Sequence, residues 1–93
     1  WDAILLPTSP VVAEPIDAEV APADKFRFTM IFDHSRMPAI SVPNGLVDGL
    51  PSGLQIAGRK WDDSTVLRIA HAYQQATEFH RLRPALPPVG ASA

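Results

Sequence analysis

The stretch Pro38-Ala-Ile-Ser-Val-Pro-Asn-Gly45, continued by Leu46-Val-Asp48 and then Gly49-Leu-Pro-Ser-Gly-Leu-Gln-Ile-Ala-Gly58, decides how this chain folds. Ala39 to Pro43 alternates in polarity and ends in a proline that cannot donate to a ladder. Gly53 to Gly58 alternates likewise, so both segments read as strands. Between them lie Asn44-Gly45 and Asp48-Gly49, dipeptides that accept positive φ cheaply. An antiparallel hairpin with an irregular tip is the expected result.

Upstream, Asp2-Ala-Ile-Leu-Leu-Pro7 is continuously apolar until its proline and predicts a short strand buried on both faces. Residues 8–23 carry prolines at 10, 15 and 22 with Glu14, Asp17 and Glu19 between them, which predicts an irregular, proline-rich connector. Asp24 can cap a first turn, so a helix is expected from Lys25 to about Arg36, stopped by Pro38. Phe28, Ile31, Phe32 and Ser35 lie at helical spacing as a buried stripe. Thr29, Phe32, Asp33 and Arg36 form an adjoining, largely polar stripe that can line a cleft or meet solvent.

Downstream, Asp62 is placed to cap a second helix. Trp61 is positioned to staple onto Val66, and Val66, Ile69, Ala70, Tyr73 and Ala76 recur at helical spacing. This helix is expected to run to about Leu82, with His80, Arg81 and Arg83 near the negative end of its dipole, until Pro84 ends it. Residues 84–93 read as a frayed tail.

The 93 residues, 46% hydrophobic and 19% charged, describe one soluble globular unit at most. Zero cysteines exclude disulfides, a thiolate nucleophile and thiolate-bound zinc, and fit a reducing, cytoplasmic setting. Eight scattered Lys and Arg against ten Asp and Glu give neither a nucleic-acid footprint nor a polybasic membrane patch. No apolar run approaches the roughly 18 residues of a membrane span. The chain opens at Trp1, almost directly in a strand-like run, as though it belonged to something larger.

Combinations that suggest chemistry have simpler explanations. Asp33-His34-Ser35 has the residue types of a triad, but consecutive helical residues point about 100° apart and cannot pass a proton along a line. In Gly49-Leu-Pro-Ser-Gly53 the serine stands one place late for a nucleophile elbow. Ser41 has no lysine or histidine near it in sequence to serve as its base. His34, His71 and His80 have no ligand spacing, and Asp62-Asp63 is what a helix N-terminus attracts. Trp61, Tyr73 and Phe79 suggest an aromatic platform, yet Tyr73 and Phe79 fall in a pattern that already needs apolar residues for packing.

The order of the blocks carries more. Phe28-Thr29, Pro38 to Gly45, Gly49 to Gly58 and Val66-Leu-Arg-Ile-Ala-His-Ala-Tyr73, preceded by Asp2-Ala-Ile-Leu-Leu-Pro-Thr-Ser-Pro10, resemble the C-terminal end of the amidase signature hydrolases. This family includes the glutamyl-tRNA(Gln) amidotransferase A subunits. The strand, hairpin and two main helices read above give an α/β fragment. The resemblance implies that they belong to a mixed sheet between helix layers, with residues 1–93 forming the C-terminal portion of an amidase signature domain.

The same resemblance implies a parent that hydrolyses carboxylic amides to acid and ammonia through a serine, a second serine and a lysine, all upstream, with no cofactor or metal. No catalytic residue is carried over, because Lys25 and Lys60 lack the family's surrounding motif and no Ser-Ser or Gly-Gly pair is present. By resemblance, Thr29, Phe32, Asp33 and Arg36 help wall the substrate pocket. Many relatives have Asn where this chain has Asp33 and Gly where it has Arg36. The implied partners are the remainder of an amidase chain and a small-molecule amide, with self-association left open. The alternative is a non-catalytic structural or interaction module bound to a separate chain.

Overall fold

A computed structural model describes residues 1–17 and 26–85. Its elements are β1 (Ala3–Pro7), α1 (Met30–Ser35), β2 (Ala39–Val47), β3 (Leu50–Gly58), α2 (Asp63–Ala76) and a one-turn 3₁₀ helix, Phe79–Arg81. The three strands form one sheet in the order β1-β3-β2, and both pairings are antiparallel. Residues 8–17 hold neither helix nor strand. Asp24, Lys25, the rest of the expected connector over 18–23 and the tail over 86–93 lie outside the described residues.

The hairpin closes where the sequence places its cheapest turn. Val47 pairs with Leu50, and the two residues between them, Asp48 and Gly49, have φ of 52° and 78°. Two consecutive positive φ values give the turn whose twist matches the strands it joins. Asn44-Gly45 serves differently. Pro43 pairs with Gly53 and Gly45 with Ser52, so Asn44 is an extra residue in β2, a bulge held by Ser52 Oγ donating to Asn44 Oδ1 at 2.6 Å.

Strand parity and this register sort the side chains into two faces. Ala3, Ile40, Val42, Leu54 and Ile56 share the face that meets α2, where Val66 and Ala70 complete the buried cluster and Ile69 and Tyr73 pack against it. Ile56 is fully buried. The opposite face carries Leu6, Thr8, Ser41, Pro43, Gly53, Gln55 and Ala57. There Gln55 Nε2 donates to the Phe28 carbonyl at 2.7 Å and ties the segment leading into α1 over the sheet. With α2 on one face and the turn before α1 tied to the other, the chain forms the small α/β fragment expected.

Several expectations change in detail. β1 forms and pairs with β3, but it is not buried on both faces: it is an edge strand, and Leu5 remains 58% exposed. The first helix is only six residues long, because Arg36 turns left-handed at φ 60° and residues 27–29 form turns. Ile31 consequently lies outside the core, while Phe32 is buried. Asp62 caps α2 as expected, accepting from Thr65 N–H. Trp61 does not staple onto Val66: its φ of 67° turns it outward and leaves it 95% exposed.

α2 ends at Ala76 rather than near Leu82. Thr77 becomes extended and its Oγ1 donates to the Tyr73 carbonyl at 3.0 Å, occupying an acceptor the last turn would leave free. His80 and Arg81 therefore sit in the 3₁₀ turn, not at the end of the α2 dipole.

Candidate functional site

The face opposite α2 is where the polar groups gather. Alternation in β2 and β3 points Ser41 and Gln55 the same way, and the register places them directly across from each other. Thr8 extends the β1 pairing by one step through its N–H to the Gly53 carbonyl at 3.1 Å. Its Oγ1 then lies 2.5 Å from Ser41 Oγ, the two hydroxyls meeting over Gly53. A side chain at position 53 would collide with both: an added Cβ would stand 2.6 Å from Ser41 Oγ and 2.9 Å from Thr8 Oγ1. Glycine is required here by close approach.

Beside this hydroxyl pair runs an open groove of about 930 Å³ between residues 7–13 and the hairpin. Its walls are Thr8, Phe28, Ser41, Val42, Asn44 and Ser52 with neighbouring prolines and valines, and among the described residues no charged side chain borders it. Such a surface offers hydroxyl and amide hydrogen bonds within an apolar setting. Ser41 is bonded to Thr8 and Ser52 to Asn44. Neither has a histidine, lysine or carboxylate as its partner, and a serine nucleophile needs a base in that position. Among the described residues no three His, Cys, Asp or Glu side chains converge as metal ligands, and no helix is long and apolar enough to cross a membrane.

The residues expected to wall a pocket are placed as follows. Thr29 is half-buried at the N-cap of α1, its Oγ1 3.4 Å from the Phe26 carbonyl. Phe32 is buried. Asp33 and Arg36 are exposed and form no ion pair with each other, Arg36 lying past the end of the helix in its left-handed turn. The segment meets the groove through Phe28 rather than through these four. The groove's polar residues were not read from the sequence as a group, because Thr8 and Ser41 are 33 positions apart and only strand register joins them. Polar residues in otherwise apolar strands, Ser41 and Gln55, were the available signal.

Comparison with known proteins agrees with this architecture. The family model described as Amidase matches residues 1–67, and the chain belongs to that family. Among its relatives, the glutamyl-tRNA(Gln) amidotransferase A subunit of Geobacillus thermodenitrificans is 44% identical over 90 residues, which cover 92% of this chain and 19% of the relative. The protein of the same name from Dehalococcoides mccartyi is 41% identical over 92 residues. The crystal structure of its Thermotoga maritima counterpart superposes with a TM-score of 0.80 at 40% identity, covering 98% of this chain and 21% of that one. The chain thus spans about a fifth of the length of the relatives it matches.

Proposed function

We propose that this chain is the C-terminal part of a serine amidohydrolase that converts carboxylic amides to acid and ammonia, supplying scaffold and part of the substrate-pocket wall while the reacting groups stand elsewhere. The observation that carries this is the match itself: family-level similarity over nearly all of this chain against a fifth of each relative. Exposed apolar side chains support it. Trp1, Leu5, Ile31 and Leu67 are each more than half exposed, surface that a larger body would cover. Phe28 supplies apolar contact at the groove, and the resemblance alone adds Thr29, Phe32, Asp33 and Arg36 to the wall of the complete pocket.

Ammonia release from aliphatic and aromatic amides tests the proposal, measured with this chain alone and joined to the preceding part of an amidase domain. Turnover is expected only from the joined protein. Turnover by the 93 residues alone, abolished by Ser41→Ala or Ser52→Ala, would overturn it. The second reading, a non-catalytic module bound to a separate chain, is favoured by the β1 edge, which among the described residues pairs on one side only and can accept another strand. Restoration of turnover by the remaining domain added as a separate polypeptide would support that reading.

A further inference from the structure

Gln55 is the one buried polar side chain among the described residues, 4% exposed, at the centre of the middle strand. Its Nε2 reaches 27 positions back to the Phe28 carbonyl at 2.7 Å. That carbonyl belongs to the turn segment that leads into α1. Residues 27–29 are turns, and Thr29 caps α1 without a side-chain bond to the helix. The local bonds, Thr29 N–H to Phe26 O at 3.1 Å and Phe32 N–H to Thr29 O at 3.1 Å, act within the segment, whereas the Gln55 bond joins it to the sheet.

Phe28 borders the groove, and two residues later the chain enters α1, which Thr29 caps and which carries Phe32 and Asp33. We infer that Gln55 is a positioning residue: through the Phe28 carbonyl it sets the α1 segment, and with it the substrate-facing wall, against the sheet. The inference rests on the amidohydrolase reading above for its effect on substrate. It depends only on this structure for the pinning of Phe28. A buried hydrogen bond of this kind is sensitive, since losing the donor leaves a carbonyl without its partner.

Two variants in the amidase-length protein test it. Gln55→Met keeps the length and volume and removes the donor. Gln55→Glu places a carboxyl there whose burial raises its pKa, so that it donates to Phe28 O when protonated and repels it when ionised. With Gln55→Met, amide exchange at Thr29, Phe32 and Asp33 should accelerate about tenfold, with no change at Gly58, and KM for amides should rise about tenfold with kcat changed less than threefold. With Gln55→Glu, KM should return toward the parental value as pH falls.

Unchanged exchange at Thr29 and Phe32 would overturn the pinning. Faster exchange with an unaltered KM, or a loss carried by kcat alone, would overturn the positioning role. Absence of amide turnover in the unsubstituted protein would instead defeat the amidohydrolase reading, and the effect on KM with it, leaving the exchange measurement to decide the pinning.

Discussion

Thr8 Oγ1, one residue beyond β1, and Ser41 Oγ of β2 meet 2.5 Å apart directly above Gly53 of the strand between them. The contact joins the edges of the sheet across its middle, and it exists only because position 53 has no side chain. A small residue thus decides whether polar groups on either side of the middle strand can touch.

Gly53→Ala should therefore destabilise the fold by about 1 to 3 kcal/mol, the usual cost of forcing an extra methyl into occupied space. Removing one obstacle should recover part of that. In a double-mutant cycle by chemical denaturation, Ser41→Ala is expected to cost less in the Gly53→Ala background than alone. Strict additivity would show that the hydroxyl pair is not what excludes the methyl.

Arg36 holds φ 60° with a β-carbon in place, a conformation that costs a non-glycine residue roughly 1 to 2 kcal/mol. Arg36→Gly should stabilise the protein by about 1 kcal/mol after the extra entropy of the unfolded glycine is counted. Arg36→Ala should change stability by less than about 0.5 kcal/mol, because it removes the charge and keeps the strain. Thermal melts of the two variants separate backbone from charge, and equal stabilisation by both would assign the effect to the guanidinium.

The Thr65 side-chain hydrogen bond, aided by the Thr65 N–H and the Arg68 charge and opposed by desolvation, holds the Asp62 carboxyl below the ordinary carboxylate range. A lowered folded-state pKa means that the cap's contribution is complete above the unfolded value, near about pH 4, and is lost as pH falls through the folded value. Asp62→Asn keeps an acceptor that does not titrate. The difference in melting temperature between parent and Asp62→Asn is expected to be constant above about pH 5 and to shift against the parent in acid. A difference independent of pH would refute the ionised cap.

Regular spacing made most of the frame legible. Period-two alternation marked both hairpin strands, Asp48-Gly49 marked the turn, and Asp62 with Val66, Ile69, Ala70 and Tyr73 marked the start and buried stripe of α2. The misses came where one residue's local bonding overrode a longer pattern. Thr77 ended a helix that composition would have continued, and the left-handed turns at Trp61 and Arg36 cost the first its staple and the second its helical place. The candidate site was less legible still. Thr8 to Ser41 is a contact of strand register and Gln55 to Phe28 one between the sheet and a turn, and neither spacing nor residue type along the chain announces them.

Asn44 acts as a one-residue frameshift in the hairpin. Ahead of it Val42 faces α2, and beyond it Gly45 takes that same side, where the Phe79 ring lies 3.6 Å from the position a β-carbon would occupy. Deleting Asn44 would make Pro43 and Gly45 consecutive opposite Gly53 and Ser52, a regular ladder that keeps Gly45 on the side of the ring and removes only the bulge. The hairpin should therefore tolerate the loss of this one residue, at the cost of its hydrogen bond from Ser52.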